Sequence, residues 1–231
     1  MKKTIGILGG MGPLATCDLM EKIIRHTDAK KDQDHVHILV DCNTNIPDRT
    51  AAILGKGEDP LPEMVKSAVR LQQMGADALI MPCNTAHYFL PQLKEAVDIP
   101  FLSILQETAL YLKAQGTNTA AVLATDGTVK MGLYDAALRQ EGITPIYPDT
   151  QEQALLMSLI YDCVKAGKPC PYPERILRMC KRLVQQGAQS LILGCTELPV
   201  AFAQLGEDLP TADPTEILAK VAVRFAGCKM I

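Results

Sequence analysis

Two short stretches of this chain could do chemistry, and they are nearly the same stretch. Residues 78–87 read Ala-Leu-Ile-Met-Pro-Cys-Asn-Thr-Ala-His, and residues 190–199 read Ser-Leu-Ile-Leu-Gly-Cys-Thr-Glu-Leu-Pro. Each reads as an apolar strand, then a cysteine, then residues that suit a helix start. Cys83 and Cys195 are thus expected at strand C-termini, where open α/β sheets bind ligands. A thiolate is a nucleophile and a base, and a helix N-terminus or a nearby cation favours it. Two thiols placed on opposite faces of one tetrahedral carbon could remove a proton from one face and deliver one to the other. A positioned proton-transfer group supplies about 10²–10⁴ in rate. Deprotonation beside a carboxylate needs more, so fixed donors must stabilise the charge that spreads into that carboxylate. Backbone N–H groups at the helix starts, with Asn84, Thr85 and Thr196, are the candidates.

The remaining chain supplies elements that could position these thiols. Short apolar runs at residues 4–8, 35–40, 78–81, 119–124, 143–147, 190–193 and 210–212 read as strands, with a weaker one at 99–103. Helical spacing of apolar residues marks 13–27, 64–74, 91–97, 106–115, 134–140, 151–166, 174–186 and 214–225. Alternation of this kind, with continuous apolar strands, indicates parallel sheets covered on both faces. Residues 41–59 are long, polar and rich in turn formers, and a loop of that length is usually functional. We expect it to act as a lid that excludes water.

The chain also repeats itself. A shift of 112 residues aligns Gly75-Ala76 with Gly187-Ala188, Leu79-Ile80 with Leu191-Ile192, and Cys83 with Cys195. A shift of 115 aligns Thr4 with Thr119, Ile7-Leu8 with Val122-Leu123, and Gly12 with Gly127. The expected fold is therefore α/β: two pseudo-symmetric lobes with parallel sheets and an active site in the cleft between them. The expected lobes are residues 1–99, completed by a C-terminal helix in 213–231, and residues 100–212.

Composition narrows the function. The 231 residues are 48% hydrophobic and carry a net charge of −3, enough for a sizeable core and without a long basic run. That argues against nucleic-acid or anionic-membrane partners. No run approaches the ~20 apolar residues of a membrane span. Eight cysteines, none in a C-x-x-C pair and with no clear secretion signal, suggest reduced thiols in a cytoplasm.

The opening Gly-Ile-Leu-Gly-Gly-Met-Gly-Pro, the Pro-Cys-Asn-Thr-Ala-His and the Gly-Cys-Thr-Glu-Leu-Pro resemble the cofactor-independent aspartate/glutamate racemase family. The resemblance extends over essentially the whole chain in order and spacing. It implies two similar α/β lobes, no cofactor, no metal, a small amino-acid substrate such as aspartate or glutamate, and a homodimer. It implies Cys83 and Cys195 as the catalytic pair, Arg49 as the substrate-carboxylate arginine, and Lys165 as an active-site lysine. Met11, Thr50, Asn84, Thr85, Thr125, Thr128 and Thr196 become cleft or binding positions. An arginine can hold a carboxylate through two hydrogen bonds, and a lysine near a helix C-terminus is favourable in any case.

Three other readings use the same residues. Gly10-x-Gly12-x-x-Ala15 after a strand matches a dinucleotide turn, with Asp41 as the ribose-binding acid of an NAD(P)-dependent oxidoreductase. Cys83 and His87 stand one helical turn apart, as two metal ligands could, but no second pair completes a site. His87 reads better as a helix-surface or supporting residue. A related cysteine-dependent isomerase or decarboxylase is the nearest variant, although decarboxylation needs a proton donor on one face only.

Overall fold

The computed structural model describes residues 2–231. The chain divides into two compact units. One holds residues up to Glu107 together with Thr215–Ile231, and the other is Thr108–Pro214. The first unit contains β1 (Thr4–Gly9), α1 (Pro13–His26), β2 (His37–Cys42), α2 (Arg49–Ile53), α3 (Leu61–Gln73), β3 (Ala78–Ile80) and α4 (Leu90–Ala96). Helix α5 (Ile104–Ala114) begins in the first unit and ends in the second. The second unit continues with β4 (Thr119–Ala124), α6 (Asp126–Lys130), α7 (Leu133–Gln140), β5 (Thr144–Ile146) and α8 (Thr150–Ser158). It closes with α9 (Pro173–Gln185), β6 (Ser190–Gly194), α10 (Leu198–Ala203) and β7 (Thr211–Ala212), and α11 (Pro214–Phe225) returns the chain to the first unit.

Both sheets are parallel. The first has strand order β2-β1-β3 and the second β5-β4-β6-β7. The sequence repeat reappears as hydrogen-bond register. Ile5 pairs with Ala78 in the first unit, and Ala120 pairs with Ser190 in the second. Those pairs are related by the shifts of 115 and 112 found in the sequence. Even the sheet edges correspond. The Leu79 N–H bonds to the Pro100 carbonyl at 2.8 Å, and the Leu191 N–H to the Pro210 carbonyl at 2.7 Å.

Continuous apolar runs form the central strands because both faces are covered. β1, β3, β4 and β6 are buried almost throughout. β2 departs from expectation: it runs His37–Cys42 rather than 35–40, and each of its residues is exposed or half-buried. It is an edge strand, and an edge leaves one side of the chain to water. β5 is also an edge, which is why Pro145, lacking an N–H, is tolerated there.

Four local expectations are corrected. Residues 99–103 are not a strand; a single bridge joins Phe101 to Leu79, in the place β7 occupies in the second unit. The polar 41–59 segment is not structureless, because Asp48 accepts from the Ala51 N–H at 2.7 Å and caps α2. Between the strand at 119–124 and the helix at 134–140, where no element was expected, α6 is a capped helix with Thr125 as its N-cap. The helix expected over 151–166 changes type at Leu159: Leu159–Val164 is a π-helix. The Lys165 N–H accordingly reaches the Ile160 carbonyl, five residues back, at 3.0 Å. Among the described residues no helix is long and apolar enough to cross a membrane.

The core of the first unit packs α3 and α4 on the sheet through Met64, Ala68, Leu71, Leu79 and Leu93. Gly6 in β1 is required by that packing. A Cβ there would lie 2.6 Å from Leu79 Cδ2 and 3.0 Å from Ala76 Cβ, closer than van der Waals contact allows. Gly6→Ala should destabilise the protein by about 1–3 kcal/mol through overpacking. The check is a lower urea midpoint at unchanged slope.

Candidate active site

In the first unit the candidate residues gather at the carboxyl ends of the strands. Cys83 lies three residues beyond the end of β3 and is 8% exposed. It shares an apolar cluster with Leu8, Met11, Ile46, Met81 and Ala86. No α-helix follows it directly. A five-residue 3₁₀ turn, Thr85–Phe89, intervenes before α4, with Asn84 at its N-cap. Asn84 and Thr85 are both buried there.

Arg49 is the first residue of α2 and is buried, not a loop residue in solvent. Its Nη2 donates to the Met11 carbonyl at 2.9 Å, and its Nη1 to the Pro47 and Ile46 carbonyls at 2.9 and 3.3 Å. The guanidinium therefore ties the β1–α1 turn to the start of α2. Thr50, beside it, is buried as well. The same turn is held from below by Thr16, whose Oγ1 accepts from the Gly10 N–H at 2.9 Å and donates to the Gly12 carbonyl at 3.0 Å.

His87 is not a helix-surface residue. Its ring is buried, with Nδ1 2.9 Å from the Cys83 carbonyl and Nε2 3.2 Å from the Ile104 N–H. Burial pulls its pKa down to about 4, so the ring is neutral near pH 7. Both nitrogens are engaged, which leaves neither poised as a metal ligand. Among the described residues no three His, Cys, Asp or Glu side chains are grouped to hold a metal ion. Asp41, the acid of the dinucleotide reading, is paired with Arg70 on α3.

In the second unit, Ala124 pairs with Gly194, so Thr125 and Cys195 leave adjacent strands side by side. Gly194 makes this possible: a Cβ there would meet the Leu123 carbonyl and Tyr134 Cε2 at 3.1 Å. Thr125 and Thr128 are buried, with their hydroxyls 3.2 Å apart. The Cys195 Sγ–H donates to Glu197 Oε2 at 2.9 Å, and the Thr196 hydroxyl to the same oxygen at 3.3 Å. Lys165 Nζ lies 3.9 Å from Glu197 Oε1 and 4.5 Å from the centre of the Tyr161 ring. The π-helix ends just before Lys165 and also carries Tyr161.

Glu197 was not singled out from sequence. Its signal was available: a carboxylate two residues from a strand-end cysteine is within reach of the thiol. Its presence also corrects the expectation that a helix start eases ionisation of this cysteine. α10 has only six residues. Burial pushes the Cys195 thiol well above its ordinary range, and the Glu197 charge pushes it further, while Lys165 opposes both. Cys195 is therefore a protonated thiol with a proton acceptor already in contact.

A duplicated parallel α/β fold with a buried cysteine past the equivalent strand of each copy defines the structural class. The chain belongs to the Asp/Glu/Hydantoin racemase family, which it matches over residues 8–222. It is 27% identical over 225 residues to the broad specificity amino-acid racemase RacX of Bacillus subtilis, covering 95% of this chain and 96% of that one. The solved structure of Picrophilus torridus aspartate racemase is 34% identical, with a TM-score of 0.86 over 99% of this chain and 96% of that one. Glutamate racemase from Francisella tularensis, in complex with D-glutamate, shares the fold alone. It is 17% identical, with a TM-score of 0.68, over 96% of this chain and 80% of that one. These similarities do not favour the dinucleotide reading.

Removing the Glu197 charge should ease ionisation of Cys195. In Glu197→Gln the pH midpoint for alkylation of Cys195, followed by mass spectrometry, is expected to fall relative to the parent protein. An unchanged or higher midpoint would show that the carboxylate does not hold the thiol proton.

Proposed function

We propose that this protein is a cofactor-independent amino-acid racemase that interconverts L- and D-aspartate, or a close acidic relative, by proton transfer between Cys83 and Cys195. The observation that carries the reading is the duplication: a buried thiol follows the equivalent strand in both copies. A one-base reaction gives no reason to keep both. Similarity to an aspartate racemase and to a broad-specificity amino-acid racemase, each over nearly the full chain, supports the same reaction class. Aspartate is preferred over glutamate as first substrate because the aspartate racemase is the nearer of the two structural relatives compared.

The chemistry follows from the protonation state. One thiolate takes the α-proton, and the C–H electron pair passes into the substrate carboxylate. The opposing thiol then delivers its proton to the other face of the same carbon. Cys195, with its proton in place and aimed at Glu197, is the donor in the described state, which makes Cys83 the base for that direction. That turnover leaves Cys195 as the thiolate and Cys83 as the thiol, which is the pair of states the reverse direction needs, and Glu197 is the group in contact to exchange a proton with Cys195. The carboxylate gains charge as the reaction proceeds, so donors at Asn84, Thr85 and Thr196 do most when that charge is largest. Arg49 and Lys165 supply the cations for an acidic amino acid, with Met11, Thr50, Thr125 and Thr128 lining the site. The eight unpaired thiols suit a reducing compartment.

The test offers purified protein a panel of L- and D-amino acids in deuterated water, without added cofactor. Aspartate is expected to racemise, with the product carrying one deuterium at Cα. Binding of aspartate with no α-exchange would overturn the reading in favour of a mere binder.

A further inference from the structure

We infer that His87 is a positioning residue for proton transfer at Cys83, acting by clamping the peptide plane between Cys83 and Asn84. This inference rests on the racemase reading and adds a residue to it.

The geometry fixes which ring nitrogen carries the proton. A backbone N–H can only donate, so the Ile104 N–H, 3.2 Å away, makes Nε2 the acceptor. In a neutral imidazole the proton then resides on Nδ1, which donates to the Cys83 carbonyl at 2.9 Å. The neighbouring Asn84 carbonyl also bears on the ring. Burial keeps the ring neutral, so the arrangement holds through the neutral pH range.

The clamp matters because of where Cys83 lies. It falls past the end of β3, so the strand ladder does not hold its carbonyl. A trans peptide is planar, with its C=O and N–H on opposite edges. Fixing the Cys83 carbonyl therefore fixes the direction of the Asn84 N–H and the place of the Cys83 Cα from which the thiol side chain departs. The same ring holds Ile104, the first residue of α5, so its other edge is anchored on a separate element. His87 links the cysteine loop to that helix through one rigid, uncharged group. Misplacing a reacting group by about 1 Å can cost on the order of 100-fold in rate, so a loosened plane should be felt in turnover more than in binding.

Two substitutions divide the two ring nitrogens. His87→Asn keeps an amide N–H near the Nδ1 position and loses the Nε2 acceptor. His87→Gln places its amide near the Nε2 position and loses the donor to Cys83. His87→Gln should lower kcat for aspartate racemisation by about tenfold or more, with KM within about threefold. His87→Asn should retain kcat within about threefold, although both variants lose some thermal stability. Equal kcat in the two variants, or KM changes that account for the loss, would overturn the inference. A measurement on the unsubstituted protein stands beside these. ¹⁵N NMR of the His87 ring should show Nδ1 protonated and Nε2 bare at pH 7, and the opposite tautomer would also overturn it. Failure of the parent protein to racemise any amino acid would overturn the racemase reading itself. Racemisation by the parent with indistinguishable variants would overturn only the role of His87.

Discussion

A sulfur that takes a proton from carbon must be sheltered from water and yet able to carry charge, and these demands oppose each other. Burial favours the neutral thiol. The second unit shows the conflict most plainly, because Cys195 is both buried and in contact with a carboxylate. Lys165 works against those two effects from the far side of Glu197. The result is a chain of thiol, carboxylate and ammonium in which a proton has a definite resting place. The first unit surrounds Cys83 differently, with a neutral imidazole, an apolar cluster and a buried arginine that braces the adjoining turn.

The two units are thus copies in backbone and not in chemistry. Register is shared down to the pairs Ile5 with Ala78 and Ala120 with Ser190. The residues around the sulfur are not. Pro82, Asn84 and His87 occur in one unit where Gly194, Thr196 and Pro199 stand at the repeat-related positions in the other. A proposed reaction that must run in both directions does not require identical bases. It requires that each thiol can hold or release a proton when the other does the reverse, and different surroundings can meet that requirement.

Much of this was legible in the chain. Continuous apolar strands, the glycines that close α3 and α9, and the two cysteine motifs carry strong local signals, and the repeat placed them in relation. Less legible were features that depend on partners far away or on very short elements. α2 and α6 span five residues each, too few for a helical period to show. The π-turn before Lys165 needs hydrogen bonds five residues back, which no residue type announces. His87 read as a surface or supporting side chain because its partner, the Ile104 N–H, lies 17 residues on. β2 read as buried because its residues are apolar, while its edge position is a matter of sheet order.

The central claim is that Cys83 and Cys195 each serve one face of the same substrate carbon. It is tested most directly by following α-hydrogen exchange of each aspartate enantiomer separately in Cys83→Ser and in Cys195→Ser. The account predicts that neither variant interconverts the enantiomers, and that each exchanges the α-hydrogen of only one of them, a different one in each variant. Exchange of the same enantiomer by both variants, or undiminished racemisation in either, would contradict it.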